Sequence, residues 1–416
     1  YAGQFGYKYG LSATWIGIGN AVIGSLLPWL ILGKRTRIIS NHIGAKTMPE
    51  FFENRFNSQS LKLVSAVIVF VFLIPYTASV YNGLSRLFGM AFVLGENGYY
   101  YIIIAMAVMS AIYVVLGGYT ATAINDFVQG LIMLVGIIAV VGFTLSGAGG
   151  FTEAVKELGE IESTKNLDST FGPDPLNLLG VVLLTSLGTW GLPQMVQKFY
   201  AIKDEKQIAK GAIISTIFAL VVAGGSYFMG GFVRLYCSVT GEKGKTLIGT
   251  VNGKPIFDDM VPALLDKALP DLLIGLVVVL VLSASLSTLS ALVLTSSSTL
   301  TIDLIKPRTK NMNEKREMFI LRILIAVFLV ISVVIACNKN ASISTLMSYS
   351  WGGLSGAFLG PYLFGLFSKK TTSAACWASF AVGIGLTVTH MVLFGFGFEC
   401  FNGLVADIKA LELPFN

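Results

Sequence analysis

The chain has 416 residues, 54% of them hydrophobic and only 12% charged, with a formal net charge of +6. So large an apolar excess excludes a water-soluble enzyme and points to a polytopic membrane protein. Four widely spaced cysteines without a CxxC pair and two isolated histidines, His42 and His390, offer no zinc or haem site and no disulfide framework.

The first ten residues, "YAGQFGYKYG", read as the Gly-rich tail of a helix that starts upstream. A helix needs roughly 18 apolar residues to cross about 30 Å of hydrocarbon. Runs of that length fall at about 11–32, 61–88, 99–117, 120–146, 177–199, 209–236, 271–301, 318–337, 344–367 and 372–397. Ten helical spans are therefore expected, and an all-α architecture, since barrel strands would be short and alternating. The segments 33–62, 198–210, 302–322 and 368–371 then share one side of the membrane. They hold 18 of the 29 Lys and Arg against seven acids, among them Asp303. By the positive-inside rule that side is cytoplasmic, which accounts for the basic charge without any nucleic-acid partner. Within it, Pro49 after Met48 predicts a short surface helix. The acidic, Gly-containing stretches 147–176 and 237–270 read as outer loops, and the last residues, from Cys400, as a loop leading to a further span.

In the fifth span, "TSLGTWGLPQ" places Gly188, Gly191 and Pro193 in mid-helix. Pro193 lacks an N–H and clashes with the preceding turn, so the helix is expected to unwind there. The Gly-interrupted start lies five helices earlier. Interrupted helices at matching places in two halves are the pointer to an inverted-repeat transporter with its site near the midplane; kinks without function also occur.

The seventh span ends in "SASLSTLSALVLTSSSTLTID", where eleven of the nineteen residues from Ser283 to Thr301 carry hydroxyls. Ala284, Ser287 and Thr288 stand at i, i+3 and i+4 and share a helix face. Two hydroxyls and the carbonyl beneath a small Ala form a neutral oxygen cluster suited to Na+ rather than to a divalent ion. The competing reading is that these hydroxyls bond the carbonyl one turn back, and for Thr295 to Thr299 that is the preferred account. Asp126 is the only carboxylate expected well inside a span, either a functional acid or a solvated helix-start acid. Trp190 and Trp351, each beside a glycine, are suited to walling a pocket or to packing against lipid.

Taken together, "LSASLSTLSALVLTSSSTLTIDLIK", "GGYTATAINDFVQGLIML", "GLPQMVQKFYAIKD", "TMPEFFENRF" and "YSWGGLSGAFLGPYLFGLF" resemble the sodium:solute symporter family, in particular its sodium/proline branch, from about Lys8 to about Gly395. The resemblance implies a leucine-transporter-type bundle of two inverted five-helix repeats with flanking helices. The chain would enter near the end of the first core helix, with the first repeat at about 1–146, the second at about 177–367 and a flanking helix at about 372–397, all in one transmembrane domain. It further implies sodium ligation by the Ala284 carbonyl and the Ser287 and Thr288 hydroxyls, and a part for Asp126 in sodium exit or in a second sodium site. Tyr76, Thr185, Thr189, Trp190 and Pro193 match positions around the solute, with Trp351 beside them. That branch carries aromatics where this chain has Thr185 and Thr189, and "GLPQ" and "NDFVQG" are also similar to the pantothenate branch. The expected activity is sodium-coupled import of proline or a similar amino acid, with pantothenate, another monocarboxylate or a sugar as alternatives. Sodium is the co-transported ion and no organic cofactor is expected; the setting is a prokaryotic inner membrane. A channel would need a charged ring or a filter loop and an enzyme a His, Cys or paired-acid set, and the sequence offers neither.

Overall fold

The computed structural model describes residues 1–92, 97–161, 166–200, 202, 206–251, 254–309, 312–338 and 342–395; within these, the side chains of 116–126, 251 and 254 lie outside the description. The described chain is almost wholly helical. Helix α1 runs from Ala2 to Ile43, with a 3-10 turn at Gly10–Ala13 and π-helical turns at Val22–Leu26 and Trp29–Gly33 on either side of Pro28. It is twenty residues longer than the expected 11–32, because residues 2–10 are already helical and because Gly33 and the polar stretch Lys34–Ile43 stay helical until Gly44 ends it at φ 72°.

Helix α2, Met48–Phe56, is the short surface helix expected at Pro49. Thr47 caps it by accepting from the Glu50 N–H at 3.1 Å, and Asn57 closes it in the left-handed region. Helix α3 is Gln59–Phe92 and α4 is Gly98–Gly147. Two spans with a turn near Gly118 were expected where α4 is one helical element of 50 residues. Adjacent glycines are tolerated in a membrane helix, so they do not by themselves end one. Its two apolar arms, Gly98–Val115 and Phe127–Gly147, are each long enough to cross.

Beyond the short α5, Phe151–Gly159, come α6, Pro175–Leu187, and α7, Pro193–Tyr200. Asp174 caps α6 and Pro175 occupies its first turn. Helix α8 is Lys206–Gly231, followed by two pairs of two-residue strands and α9, Met260–Ala268. Helix α10 runs Asp271–Arg308 and includes a π-helical turn at Leu300–Ile305; α11 is Glu314–Ala336, α12 Ile343–Phe367 and α13 Ser373–Gly395. Among the described residues eight helices are long and apolar enough to span a membrane, or nine counting α6 with α7 as one bent span, against ten expected. The remaining one is α12, a helix of 25 residues diluted by Ser, Gly, Tyr and Trp.

The main core lies between α3, α10, α11 and α12, around Phe72, Tyr81, Phe328, Phe358 and Tyr362. Helices α1 and α8 pack so closely that a Cβ on Gly17 would lie 2.5 Å from the Cα of Gly224. Large apolar side chains such as Val135, Ile214, Val334 and Leu386 face outward, as a bilayer demands and water would not.

Candidate functional site

The fifth span breaks where the sequence said it would. A 3-10 turn, Gly188–Gly191, and the extended Leu192 separate α6 from α7, and the two axes differ by 49°. Helix α12 lies directly against the break. A Cβ on Gly191 would stand 2.9 Å from the Cα of Ser355 and 3.1 Å from the Leu359 nitrogen, so only glycine permits the approach. Each carbonyl freed by unwinding needs a partner. Ser355 supplies one by donating to the Gly188 carbonyl.

The break is also tied to the first π-helical turn of α1. Trp190 Nε1 donates to the Ile23 carbonyl at 2.8 Å, and Thr189 Oγ1 reaches the Ser186 carbonyl at 2.8 Å and Gly24 at 3.3 Å. Ser186 and Asn20 meet at 3.1 Å. Trp190, 7% exposed, thus spends its polar tip holding two helices together. Thr185 turns its hydroxyl to Val181 O at 2.9 Å, and Pro193 is buried at the start of α7.

Trp351, on α12, is different. Its ring meets Tyr76 of α3 edge-on at 5.9 Å, and a Cβ on Gly188 would stand 3.9 Å from it. Its indole N–H is buried without a partner. An indole N–H normally finds one when buried, so this orphan beside the helix break is the candidate contact for a guest. The adjacent Ser350 hydroxyl is likewise buried and unpaired.

On α10, Thr288 Oγ1 donates to Ala284 O at 3.0 Å. The back-bond weighed against ion ligation is therefore present, and it also holds two of the three oxygens side by side. Ser287 lends its carbonyl to Ser290 Oγ at 2.8 Å, while its own hydroxyl makes no hydrogen bond within the described residues. All three positions are half-buried. The Asp126 side chain lies outside the described residues. In the Thr295–Thr299 run, Ser298 back-bonds as expected, whereas Thr295 bonds Gln197 Oε1 of α7 at 2.9 Å and Ser296 and Ser297 are buried unpaired.

Two buried polar side chains were not singled out in the sequence. Asp303, counted there with the loop acids, lies in the π-helical turn of α10 with 0% exposure, because Thr47 and Lys62 close over it. Asp126 is therefore not the only carboxylate inside a helical span. Gln194 is the other, an uncharged residue with no local signal beyond its place after Pro193.

Comparison with known proteins gives a consistent picture. The sequence model of the sodium:solute symporter family matches residues 2–383. A sodium/proline symporter of Haemophilus influenzae is 31% identical over 387 residues, covering 91% of this chain and 74% of its own. One of Staphylococcus aureus is 30% identical over 393 residues, covering 91% and 72%. Among solved structures, a Na+-coupled sialic acid symporter in a substrate-bound outward-open state superposes with a TM-score of 0.66 at 16% identity, covering 99% of this chain and 86% of that one. A nucleobase-cation-symport-1 family transporter, closed with bromovinylhydantoin bound, gives 0.55 at 12% identity over 97% and 91%. These structural likenesses establish the shared leucine-transporter-type fold.

Proposed function

Because the chain belongs to the sodium:solute symporter family, we propose that the solute it couples to Na+ is proline or a similar small amino acid. The protein is a multi-pass Na+-coupled symporter of the prokaryotic plasma membrane and not an enzyme. The solute reading is supported by the relatives' names, sodium/proline symporter, at about this level of identity. The observation that carries the site is the orphaned indole of Trp351, stacked edge-on against Tyr76 and facing the broken helix at Gly188.

In this reading Na+ binds the Ser287 and Thr288 hydroxyls and the Ala284 carbonyl. Its binding favours the outward-facing form and raises solute affinity, and by reciprocity the solute raises sodium affinity. Solute binds between α3, α12 and the break, where Tyr76 and Trp351 supply an aromatic wall; Thr185, Thr189, Trp190 and Pro193 shape the opposite side, and Asp126 draws the ion toward the cytoplasm. Carrying one charge inward through 100 mV releases about 2.3 kcal/mol, enough to concentrate a neutral zwitterion. A division into a first repeat over about 1–146 and a second beginning near residue 177 fits the position of the break. A second reading, a small carboxylate such as pantothenate, is favoured by Thr185 and Thr189, which stand where the proline branch has aromatics.

The deciding experiment is uptake into proteoliposomes under a Na+ gradient, with labelled proline, other amino acids, pantothenate and sugars. Saturable proline uptake that disappears when K+ replaces Na+ supports the reading; uptake confined to pantothenate or a sugar rejects it.

A further inference from the structure

Gln194 is the second residue of α7 and is 6% exposed. Neither its Nε2 nor its Oε1 has a hydrogen-bond partner. Leaving a buried amide unpaired in both directions is costly, and such groups call for a specific reason. The surroundings supply one. Met195 and Val196 both donate to Leu192 O, which leaves the Gln194 backbone N–H without an acceptor at the start of the helix. That end of a helix carries partial positive charge.

Its direction follows from its neighbour. Gln197, three residues on and so on the same face, accepts from Thr295 of α10. Thr295 lies two turns past Thr288 on one stripe of α10. Helices α6, α7 and α10 all run toward the basic side of the membrane, so Gln194 sits one turn nearer the break than Gln197. It therefore lies just to the cytoplasmic side of the break, on the stripe of α7 that Gln197 turns toward α10.

We propose that Gln194 is a solute-binding and specificity-determining residue for a zwitterionic amino acid, its Nε2 donating to the solute carboxylate and its Oε1 accepting from the solute ammonium. A neutral amide with both functions vacant complements a guest that presents both signs. The unbonded N–H and the positive end of α7 favour the carboxylate on that side. A monocarboxylate without an ammonium leaves Oε1 unpaired, so the side chain selects against it. This assignment rests on the symport reading above.

The test uses the full-length protein in proteoliposomes with an inward Na+ gradient, labelled L-proline as probe, and the variants Gln194→Leu, Gln194→Met and Gln194→Glu. All three should raise the proline KM about tenfold or more with Vmax changed by less than about threefold, the loss expected for two hydrogen bonds made only to bound solute. Because Leu and Met remove an orphaned polar group, the solute-free thermal midpoint of those variants should hold or rise, while the upward shift induced by L-proline is lost. An unchanged proline KM in Gln194→Leu overturns the assignment. So does a fall in solute-free stability with the proline-induced shift intact, which would mark a structural contact. Wild-type protein that drives no amino acid with Na+ overturns the symport reading in its amino-acid form, whereas normal wild-type uptake with an unaltered variant overturns only Gln194.

Discussion

The hydroxyl of Thr47 donates to Asp303 Oδ2 at 2.9 Å, joining the cap of α2 to the cytoplasmic end of α10. Lys62 of α3 completes the junction, 2.8 Å from Glu53 and 3.7 Å from Asp303 Oδ1. Lys62 is 10% exposed and Asp303 not at all. Removing one partner of a buried pair strands the other charge, at about 3–5 kcal/mol, far above the ~0–1 kcal/mol of a surface pair. Lys62 is the cation facing Asp303 and keeps Glu53 when Asp303 is removed, so it is Lys62→Met that strands a charge and should lower the thermal midpoint in detergent by several degrees. Thr47→Ala, by contrast, should cost about 1–2 kcal/mol as a lost cap and one lost hydrogen bond. Equal, small effects of both would show that water reaches the cluster.

The two tryptophans proposed for the pocket separate cleanly. Trp190 donates to Ile23 O and Trp351 donates to nothing. Trp190→Phe leaves a carbonyl of the π-helical turn unpaired and should destabilise the protein by about 1–3 kcal/mol. Trp351→Phe should leave stability within about 0.5 kcal/mol and instead raise the solute KM severalfold. Paired melting curves and uptake kinetics on the two variants decide it, and the reverse pattern would move the pocket to the other side of the break.

The spans and the break were legible because membrane thickness and the missing N–H of Pro193 act locally, on residues adjacent in the chain. The π-helical turns of α1 were not, since nothing in Val22–Leu26 distinguishes them from ordinary helix. Asp303 was misplaced for a related reason. Hydropathy falls off after Thr301, and what draws the acid inside, Thr47, lies 256 residues away. The sodium candidates Ser287 and Thr288 rest on spacing and on the family resemblance; the same spacing also offered the back-bond from Thr288 to Ala284, which is present, and spacing by itself does not choose between the two roles.

At the outer end of α6, Asp174 accepts from the side chain and the backbone N–H of Asn177, and these bonds hold its carboxyl below the usual range. A depressed acid contributes stability that is present above its unfolded pKa, about 3.9, and is lost as pH falls through the folded value. The cap should thus be fully intact from pH 5 upward and fade only below about 4. Asp174→Ala should cost about 0.5–2 kcal/mol at pH 7 and Asp174→Asn much less, since Asn also caps. Melting at pH 7 and pH 3.5 would show the gap between wild type and Asp174→Ala closing in acid.

The sodium assignment makes the sharpest demand. Thr288 Oγ1 already sits 3.0 Å from the Ala284 carbonyl, so an ion bound by both adds no strain to the helix. An ordinary back-bond would survive Thr288→Ser and would be lost without functional consequence in Thr288→Ala. Ligation predicts otherwise. Thr288→Ser keeps the oxygen and should keep the sodium dependence. Thr288→Ala and Ser287→Ala should each raise the half-saturating Na+ concentration about tenfold, or about 1.4 kcal/mol, and the double variant should abolish sodium-driven uptake. Solute affinity measured without Na+ should hold in every case, because it is the coupling and not the solute site that those oxygens supply. A double variant that still concentrates solute on a Na+ gradient would return both hydroxyls to helix packing.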